Sequence, residues 1–359
     1  MKKEYKFRKT LSVLLISAMA MWSAPCFAQE VEAEAEPLDV TAMIFDHVGD
    51  SYYWHITDWG ETSISIPLPV LVYSQETGFH AFMSDKFHHG HETYEGLKIA
   101  DKDSEYAGKI VETDANGKES RPFFDFSITK NVAGLIISCI LLIWMILHCA
   151  KWYKGKDSKS TAPKGFVGSV EMLVSYVYND VIRPNIPKNT ERYVPYLLTA
   201  FFFIFFNNLL GLIPGSANLT GNIAITVTLA LFTFFTTNIF GTGAYWSEVL
   251  WNRELPLWLR PIMAVIEFIG LFTKPFSLTI RLFANILAGH CALLGVLSVI
   301  FLTAISMPGV GNGLMSVVSI LLGIFLDFVE LLVAFIQAFV FTMLSSIYIG
   351  LSQAEHHKE

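Results

Sequence analysis

The sequence predicts an all-α polytopic membrane protein with a small β-rich or irregular N-terminal module. Hydrophobic residues make up 53% of the 359-residue chain and charged residues only 16%. Long apolar runs recur through the later part of the chain, each near or above the roughly 20 residues that cross a bilayer core as a helix. They lie at about 132–150, 194–213, 221–240, 262–302 and 314–351, which predicts about five transmembrane passes.

Residues 1–28 have the pattern of a cleaved signal peptide. A basic start, MKKEYKFRK, precedes the apolar LSVLLISAMAMW, and Ala28 is a small residue of the kind that a signal peptidase accepts. The alternative is a first transmembrane helix, which fits less well because the apolar stretch is short and an acidic segment follows it. We therefore expect the N-terminus to be exported.

Residues 29–127, called here the acidic module, differ in character from the rest of the chain. They contain 20 Asp and Glu against 6 Lys and Arg, and no cysteine, so we expect no disulfide in them. The alternation in SISIPLPVLVY is typical of a strand, and DANG at 114–117 is typical of a hairpin turn before PFFDFSI. These patterns predict a small β-rich or irregular module and no particular activity.

A histidine patch, FHHGH at 87–91, raises the question of a metal site. His88, His89 and His91 lie in a polar stretch without any cysteine. Such a patch is more often a solvated surface than a set of metal ligands. We expect no metal and no cofactor in this chain.

The distribution of basic residues predicts the orientation of the spans. The segments 151–192 and 241–260 carry lysines and arginines, whereas the connections 214–220 and 303–313 carry no charge. Under the positive-inside rule, the first span begins outside and the C-terminus lies in the cytoplasm. We expect a multi-pass protein of the bacterial inner (plasma) membrane, with residues 128–359 as its transmembrane domain.

The apolar run 262–302 is too long for an upright span. Its 41 residues would measure about 60 Å as a helix, roughly twice the thickness of the hydrocarbon core. The helix is therefore either steeply tilted or broken near Pro275, where a backbone hydrogen bond is lost. Both alternatives place charge at membrane depth, where it is tolerated only against protein or water.

The charges of this run are ordered along one helix face. Glu267, Lys274 and Arg281 recur every seven residues, so a continuous helix projects all three from nearly the same side. Asn285 follows one turn later, and His290 lies close to the opposite side. Lys274 is the hardest to assign, with a lipid-headgroup anchor as the alternative to a channel role.

The last apolar run repeats this pattern. In LDFVELLVAFIQAF, Asp327, Glu330 and Gln337 are spaced by three and seven residues, again on one helix face. Two apolar helices with polar stripes indicate an internal hydrophilic path, because ionisable residues within spans are costly and usually mark ion or proton routes. The alternative is that these groups only pair with one another to hold the bundle together.

Several motifs resemble the membrane-embedded a subunit of the bacterial rotary F-type ATP synthases, the stator side of the proton channel. The strongest match is EFIGLFTKPFSLTIRLFANILAGH. KGFVGSVEMLVSYVYNDVI, FFNNLLGLIPG and ELLVAFIQAFVFTML follow the family's order, and the resemblance covers about 125–352. It implies a long, steeply tilted helix pair that faces a ring of c subunits.

The resemblance also implies roles for individual residues. Arg281 matches the family's essential arginine, the electrostatic gate that faces the ring carboxyl. Asn285, Gly289 and His290 match polar or small positions that follow it. Some members carry an acid at the position of His290 and a histidine at that of Glu330, so this chain has the exchanged arrangement, which keeps one acid and one imidazole available to each other. The positions that match the proton path are Asn285, His290, Glu330 and Gln337 on the outer side and Glu267 on the inner side. Asn207 and Asn208 are candidates for the channel entrance, with helix packing as an equal alternative.

The implied function is to couple transmembrane proton flow, through two offset half-channels, to rotation of the ring and hence to ATP synthesis. The implied partners are the c-subunit ring, the peripheral-stalk b subunits, the remaining ATP synthase subunits and membrane lipid, with no nucleic acid. Nothing in the sequence resembles a phosphate-cradling glycine loop, so ATP chemistry is expected in partner subunits. Whether the coupling ion is a proton or sodium depends largely on the ring.

Two other classes of protein account for part of this sequence. A secondary ion-coupled transporter also places charges in long helices, but it should show repeated halves, which this sequence lacks. A membrane-tethered binding protein would account for the acidic module and would leave Arg281 without a role.

Overall fold

The computed structural model describes residues 49–353 except 60–61, 76, 91, 102–103, 114–118, 155–161, 214, 252–254 and 307–308. In this part of the chain, short strands come first and long helices follow. This order confirms the predicted polytopic helical membrane fold with a strand-containing N-terminal region. The predicted signal peptide, 1–28, lies outside the described residues.

The described part of the acidic module contains three small antiparallel sheets. Strands β1 and β2 form one pair, β3 lies between β4 and β8, and β6 lies between β5 and β7. A 3₁₀ helix, Ser84–Gly90, follows β4. The strands are β1 (Tyr53–Trp59), β2 (Thr62–Pro67), β3 (Pro69–Ser74), β4 (Gly78–Met83), β5 (Leu97–Ile99), β6 (Ile110–Thr113), β7 (Glu119–Ser120) and β8 (Phe124–Asp125).

The module has its own small hydrophobic core. Val70 and Val72 point to the same side of β3, as alternate residues of a strand do, and both are fully buried. They pack in one cluster with Phe87 of the 3₁₀ helix, Leu97 of β5 and Ile110 of β6. Tyr53 of β1 packs against the same cluster, so the core links elements of all three sheets.

Three predictions for the module can be compared with the structure. SISIPLPVLVY forms two strands rather than one, because the segment before Leu68 pairs with β1 and the segment after it pairs with β4. The predicted turn at 114–117 lies outside the described residues, although β6 and β7 on either side of it pair antiparallel. His88 is exposed, whereas the side chains of His89 and His91 are not described, and no metal-binding group occurs among the described residues.

The membrane domain consists of long helices. In the described chain, four helices, α1, α3, α6 and α7, are each long and apolar enough to cross a membrane. Helices α4 and α5 form a pair bent by 100°, and counting this pair as one span gives five. Helix α2 continues through a π-helical turn, Val177–Ile182, into the short helix Arg183–Asn185. The helices are α1 (Lys130–Tyr153), α2 (Phe166–Tyr176), α3 (Thr190–Gly211), α4 (Ile223–Ile239), α5 (Gly243–Trp251), α6 (Arg260–Ser306) and α7 (Val310–Ser352).

Helix α6 is continuous through Pro275 over 47 residues. Of the two alternatives for the long apolar run, the unbroken helix is therefore correct. Its length is about 70 Å, more than twice the hydrocarbon core, so the helix fits a bilayer only if it is steeply tilted. The hydroxyl of Thr279 donates to the carbonyl oxygen of Pro275 at 2.9 Å, within the turn that follows the proline.

Helices α6 and α7 form a long antiparallel hairpin. Thr303 donates a hydrogen bond to Asn312 at 3.0 Å next to the turn. Further from the turn, residues that contact each other across the hairpin lie at positions whose residue numbers add up to nearly the same value. The two helices therefore keep the same register along their length. These contacts join Leu297 with Gly323, His290 with Glu330, and Lys274 with Tyr348.

The core of the membrane domain is centred on α3. Leu197, Phe201 and Ile204 of this helix are fully buried, and Leu278 and Leu282 of α6 pack in the same cluster. This packing places α6 against α3, while many apolar side chains of α6 remain exposed.

Candidate functional site

Arg281 lies exposed on the surface of α6, near the middle of the helix. The adjacent Leu282 is buried in the core, so Arg281 stands at the edge of the packed face of the helix. Nearby on the same helix, Phe276 and Ile280 are also exposed apolar residues. No hydrogen bond or ion pair joins Arg281 to another side chain in the described ranges. A cation on an apolar helix surface is costly in a membrane unless a counter-charge reaches it.

A buried acid–imidazole pair joins α6 to α7. Atom Nδ1 of His290 lies 3.5 Å from Oε1 of Glu330, and the two side chains are only 15% and 8% exposed. The glycine at position 289 makes this approach feasible, because a Cβ built on Gly289 would lie 3.1 Å from Oε1 of Glu330. Both groups can hold or release a proton, so the pair can relay one.

The pair lies away from Arg281 along the helix. His290 is nine residues after Arg281, which corresponds to about 14 Å along the axis and half a revolution around it. Glu267 lies in the opposite direction, 14 residues or about 21 Å before Arg281, and is half-buried. Arg281 therefore stands between two titratable positions on the same helix.

Asn285 and Gln337 occupy the interval between Arg281 and the acid–imidazole pair. Both are half-buried, and the register of the hairpin places them at the same level of the two helices. Lys274 does not join this group, since its ammonium lies over the ring of Tyr348, 5.6 Å from the centroid. Lys274 is thus held against α7 by a cation–π contact.

Two asparagines of α3 lie close to the site. The amide of Asn208 donates to the carbonyl oxygen of Ala334 at 3.1 Å, one helical turn after Glu330 on α7. The amide of Asn207 donates within its own helix to Phe203 at 2.8 Å. Both side chains are buried, and neither side-chain oxygen has a hydrogen-bond partner among the described residues.

The structure separates residues that the sequence pattern grouped together. Asp327 and Glu330 were expected on one face of the last helix, but Asp327 is exposed and Glu330 is buried. Three residues turn a helix by about 300°, so the two side chains differ by about 60°, enough to put one at the edge of the buried face. The family resemblance marked Gly289 as a small or polar position, but its close packing against Glu330 was not predicted, because that contact lies between two helices.

The fold and the site define a class, the polytopic helical membrane proteins that carry ionisable side chains at the depth of their spans. The chain belongs to the ATP synthase A chain family, whose model matches residues 133–350. It is therefore a multi-pass membrane protein and a membrane-sector subunit of F-type ATP synthase. Residues 43–126 match a separate model described as a domain of unknown function.

Similar proteins are named ATP synthase subunit a. That of Chloroherpeton thalassium is 41% identical over 236 residues, covering 64% of this chain and 68% of the relative. That of Pelodictyon phaeoclathratiforme is 46% identical over 242 residues, covering 66% and 68%. That of Anaeromyxobacter dehalogenans is 44% identical over 241 residues, covering 65% and 59%.

Proposed function

We propose that this chain forms two offset proton half-channels against a ring of c subunits and couples proton flow to rotation of that ring. The observation that carries the proposal is the exposed position of Arg281. It stands on an apolar helix between the buried His290–Glu330 pair and Glu267. A fixed cation there attracts a mobile carboxylate without being neutralised by its own chain.

The chemistry at Arg281 follows from the cost of charge in lipid. A protonated ring carboxyl is neutral and can face lipid, whereas a carboxylate cannot do so cheaply. Arginine stays cationic at any relevant pH, so its charge favours the carboxylate and the proton leaves. The carboxylate must take up a proton from the other path before it re-enters lipid. This requirement links ion flow to the direction of rotation.

The two paths use different residues of the chain. On the side of the acidic module, the proposed outer half-channel contains Asn207, Asn208, Asn285, His290, Glu330 and Gln337. Its relay is the His290–Glu330 pair, whose atoms lie 3.5 Å apart. The inner half-channel is assigned to Glu267. Because Arg281 separates the paths, a proton crosses only by moving with a ring carboxyl.

The proposed setting is the bacterial inner membrane, with the acidic module exported and the C-terminus in the cytoplasm. The basic segment 151–192 supports this orientation. The exposed face around Arg281 is assigned to the c-subunit ring. Peripheral-stalk b subunits and the remaining ATP synthase subunits complete the assembly.

The test is ATP-driven proton uptake by inverted vesicles that carry Arg281→Ala, with assembly confirmed by pull-down. We expect uptake to fall to background while assembly persists, because no cation remains to release the ring proton. Arg183→Ala, at an exposed arginine outside the predicted spans, is the matched control and should pump normally. Normal pumping by Arg281→Ala in the assembled complex would overturn the proposal.

A further inference from the structure

The connection between α3 and α4, residues 212–222 and called here the outer loop, contains buried polar atoms without partners. Atom Nδ2 of Asn218 and Oγ1 of Thr220 are buried and have no hydrogen-bond partner in the described part of the chain. The side-chain oxygen of Asn218 accepts a hydrogen bond from the backbone of Gly221 at 3.0 Å. Buried donors left without a protein partner are costly unless water reaches them.

The outer loop reaches the acid–imidazole pair. A Cβ built on Gly211, the last residue of α3, would lie 3.8 Å from Oδ1 of Asn218 and 3.8 Å from Nε2 of His290. The side-chain oxygen of Asn218 and the imidazole of His290 therefore both lie close to Gly211. Water near Gly211 would find polar partners on the loop and on α6, as a buried water requires.

The acidic module holds this loop in place. The indole N–H of Trp54 in β1 donates to the carbonyl oxygen of Gly215 at 2.7 Å. Gly134 of α1 packs so closely against Ala217 that a side chain at position 134 would overlap it. The module also contacts the start of α1, where the backbone N–H of Asn131 donates to the carboxylate of Asp50 at 3.0 Å.

We propose that the outer loop is the entrance of the outer half-channel, that Asn218 and Thr220 line a water path to His290, and that Trp54 is a positioning residue through which the acidic module holds the entrance. This inference deepens the proposed function and rests on it. It gives the acidic module a role in proton access. An ordered water chain conducts protons between hydrogen-bonded groups, and the unpartnered atoms of Asn218 and Thr220 supply such groups.

The first test measures access to Asn218. Asn218→Cys, in a chain whose native cysteines are replaced by serine, is treated with a membrane-impermeant cationic methanethiosulfonate on the side of the module. We expect modification and a loss of passive proton flux through the membrane sector. Thr228→Cys, at an exposed position on α4, is the matched control and should keep its flux. Normal flux after complete modification of Asn218→Cys, or no modification at all, would overturn the entrance.

The second test measures the tether. Trp54→Phe keeps an aromatic side chain but removes the indole N–H donor together with part of the ring system. We expect faster modification of Asn218→Cys and proton flux lowered about fivefold, about the effect of losing one net hydrogen bond. Trp144→Phe, at a tryptophan exposed on α1, should change neither rate. Unchanged modification and flux in Trp54→Phe would remove the positioning role.

A third variant acts on the loop without touching the module. A Cβ built on Gly221 would lie 2.5 Å from Nδ2 of Asn218, so Gly221→Ala should displace this amide and lower the flux. Normal flux in Gly221→Ala would contradict the role of Asn218. If Arg281→Ala abolishes pumping while these variants conduct normally, only the entrance inference fails. Normal pumping in Arg281→Ala would instead overturn the proposed function.

Discussion

At the scale of single residues, the site depends on how closely two helices approach each other. Gly289 allows the carboxylate of Glu330 to lie against α6, with His290 as its neighbour. An alanine there would place its Cβ 3.1 Å from Oε1 of Glu330, so the flexible carboxylate would have to move. The approach of the acid to the imidazole therefore depends on a neighbouring residue without a side chain.

Gly289→Ala is predicted to slow ATP-driven pumping about tenfold, because small displacements in a relay have large effects on rate. Gly295→Ala on the same helix is the control, since a Cβ there meets nothing within 4 Å, and it should pump at the normal rate. The measurement is the initial rate of acidification in inverted vesicles. Equal rates for the two variants would show that the approach of Glu330 to α6 is not needed.

Residue types and spacing predicted which residues belong to the candidate site, but not which of them are buried together. The sequence indicated Arg281, His290 and Glu330 because charged or titratable groups are rare in apolar runs. It placed Asp327 with Glu330, and the structure separates them by burial. Burial depends on neighbouring helices, and a single helix does not encode it.

At the scale of elements, the end of α7 is fixed by the segment that follows α2. The amide of Asn185 donates to the hydroxyl of Ser346 at 3.2 Å. The carbonyl oxygen of Asn185 lies so close to Gly350 that a Cβ built there would overlap it. Because backbone meets backbone at this point, rotation of a side chain gives no relief.

Gly350→Ala is predicted to destabilise the subunit by about 1–3 kcal/mol, the usual range for overpacking a close contact. The measurement is the temperature at which the assembled complex loses half of its pumping activity, which should fall. Gly313→Ala near the other end of α7 is the control, because a Cβ there meets nothing within 4 Å. An unchanged temperature in Gly350→Ala would mean that this contact opens freely.

The long helices show what local sequence signals can decide about an element. Their existence and approximate bounds followed from the apolar runs, each of which matches one helix to within about four residues at its ends. Whether α6 breaks at Pro275 was left open. Proline costs a helix roughly 3 kcal/mol, and the buried Leu271 and Leu278 on either side of Pro275 pack against other helices, which opposes a break. Whether the cost of the proline or this packing prevails depends on the tertiary structure.

At the scale of the whole molecule, charge is distributed along the chain in two blocks. The acidic module carries 20 acidic against 6 basic residues, while the chain as a whole has a net charge of −7, so the rest is net positive. Basic residues are retained on the cytoplasmic side of membranes, and this asymmetry is the basis of the proposed orientation.

This orientation predicts opposite labelling of two exposed positions. Glu105→Cys in the acidic module should react with a membrane-impermeant maleimide in intact spheroplasts. Lys164→Cys in the basic segment should react only after the membrane is permeabilised, because that segment is assigned to the cytoplasm. The reverse pattern would invert the topology and exchange the inner and outer half-channels.

The sequence by itself determined the class of the molecule, the number and approximate positions of its spans, and the identity of its ionisable residues. Hydrophobic length and charge are properties of a segment, so they can be read locally. The family resemblance suggested that Glu330 and His290 are available to each other. Only the tertiary structure decided that Asp327 stays exposed while Glu330 is buried, and that Trp54 reaches the outer loop at Gly215. These contacts join residues far apart in the chain, and they depend on the packing of helices that no local pattern specifies.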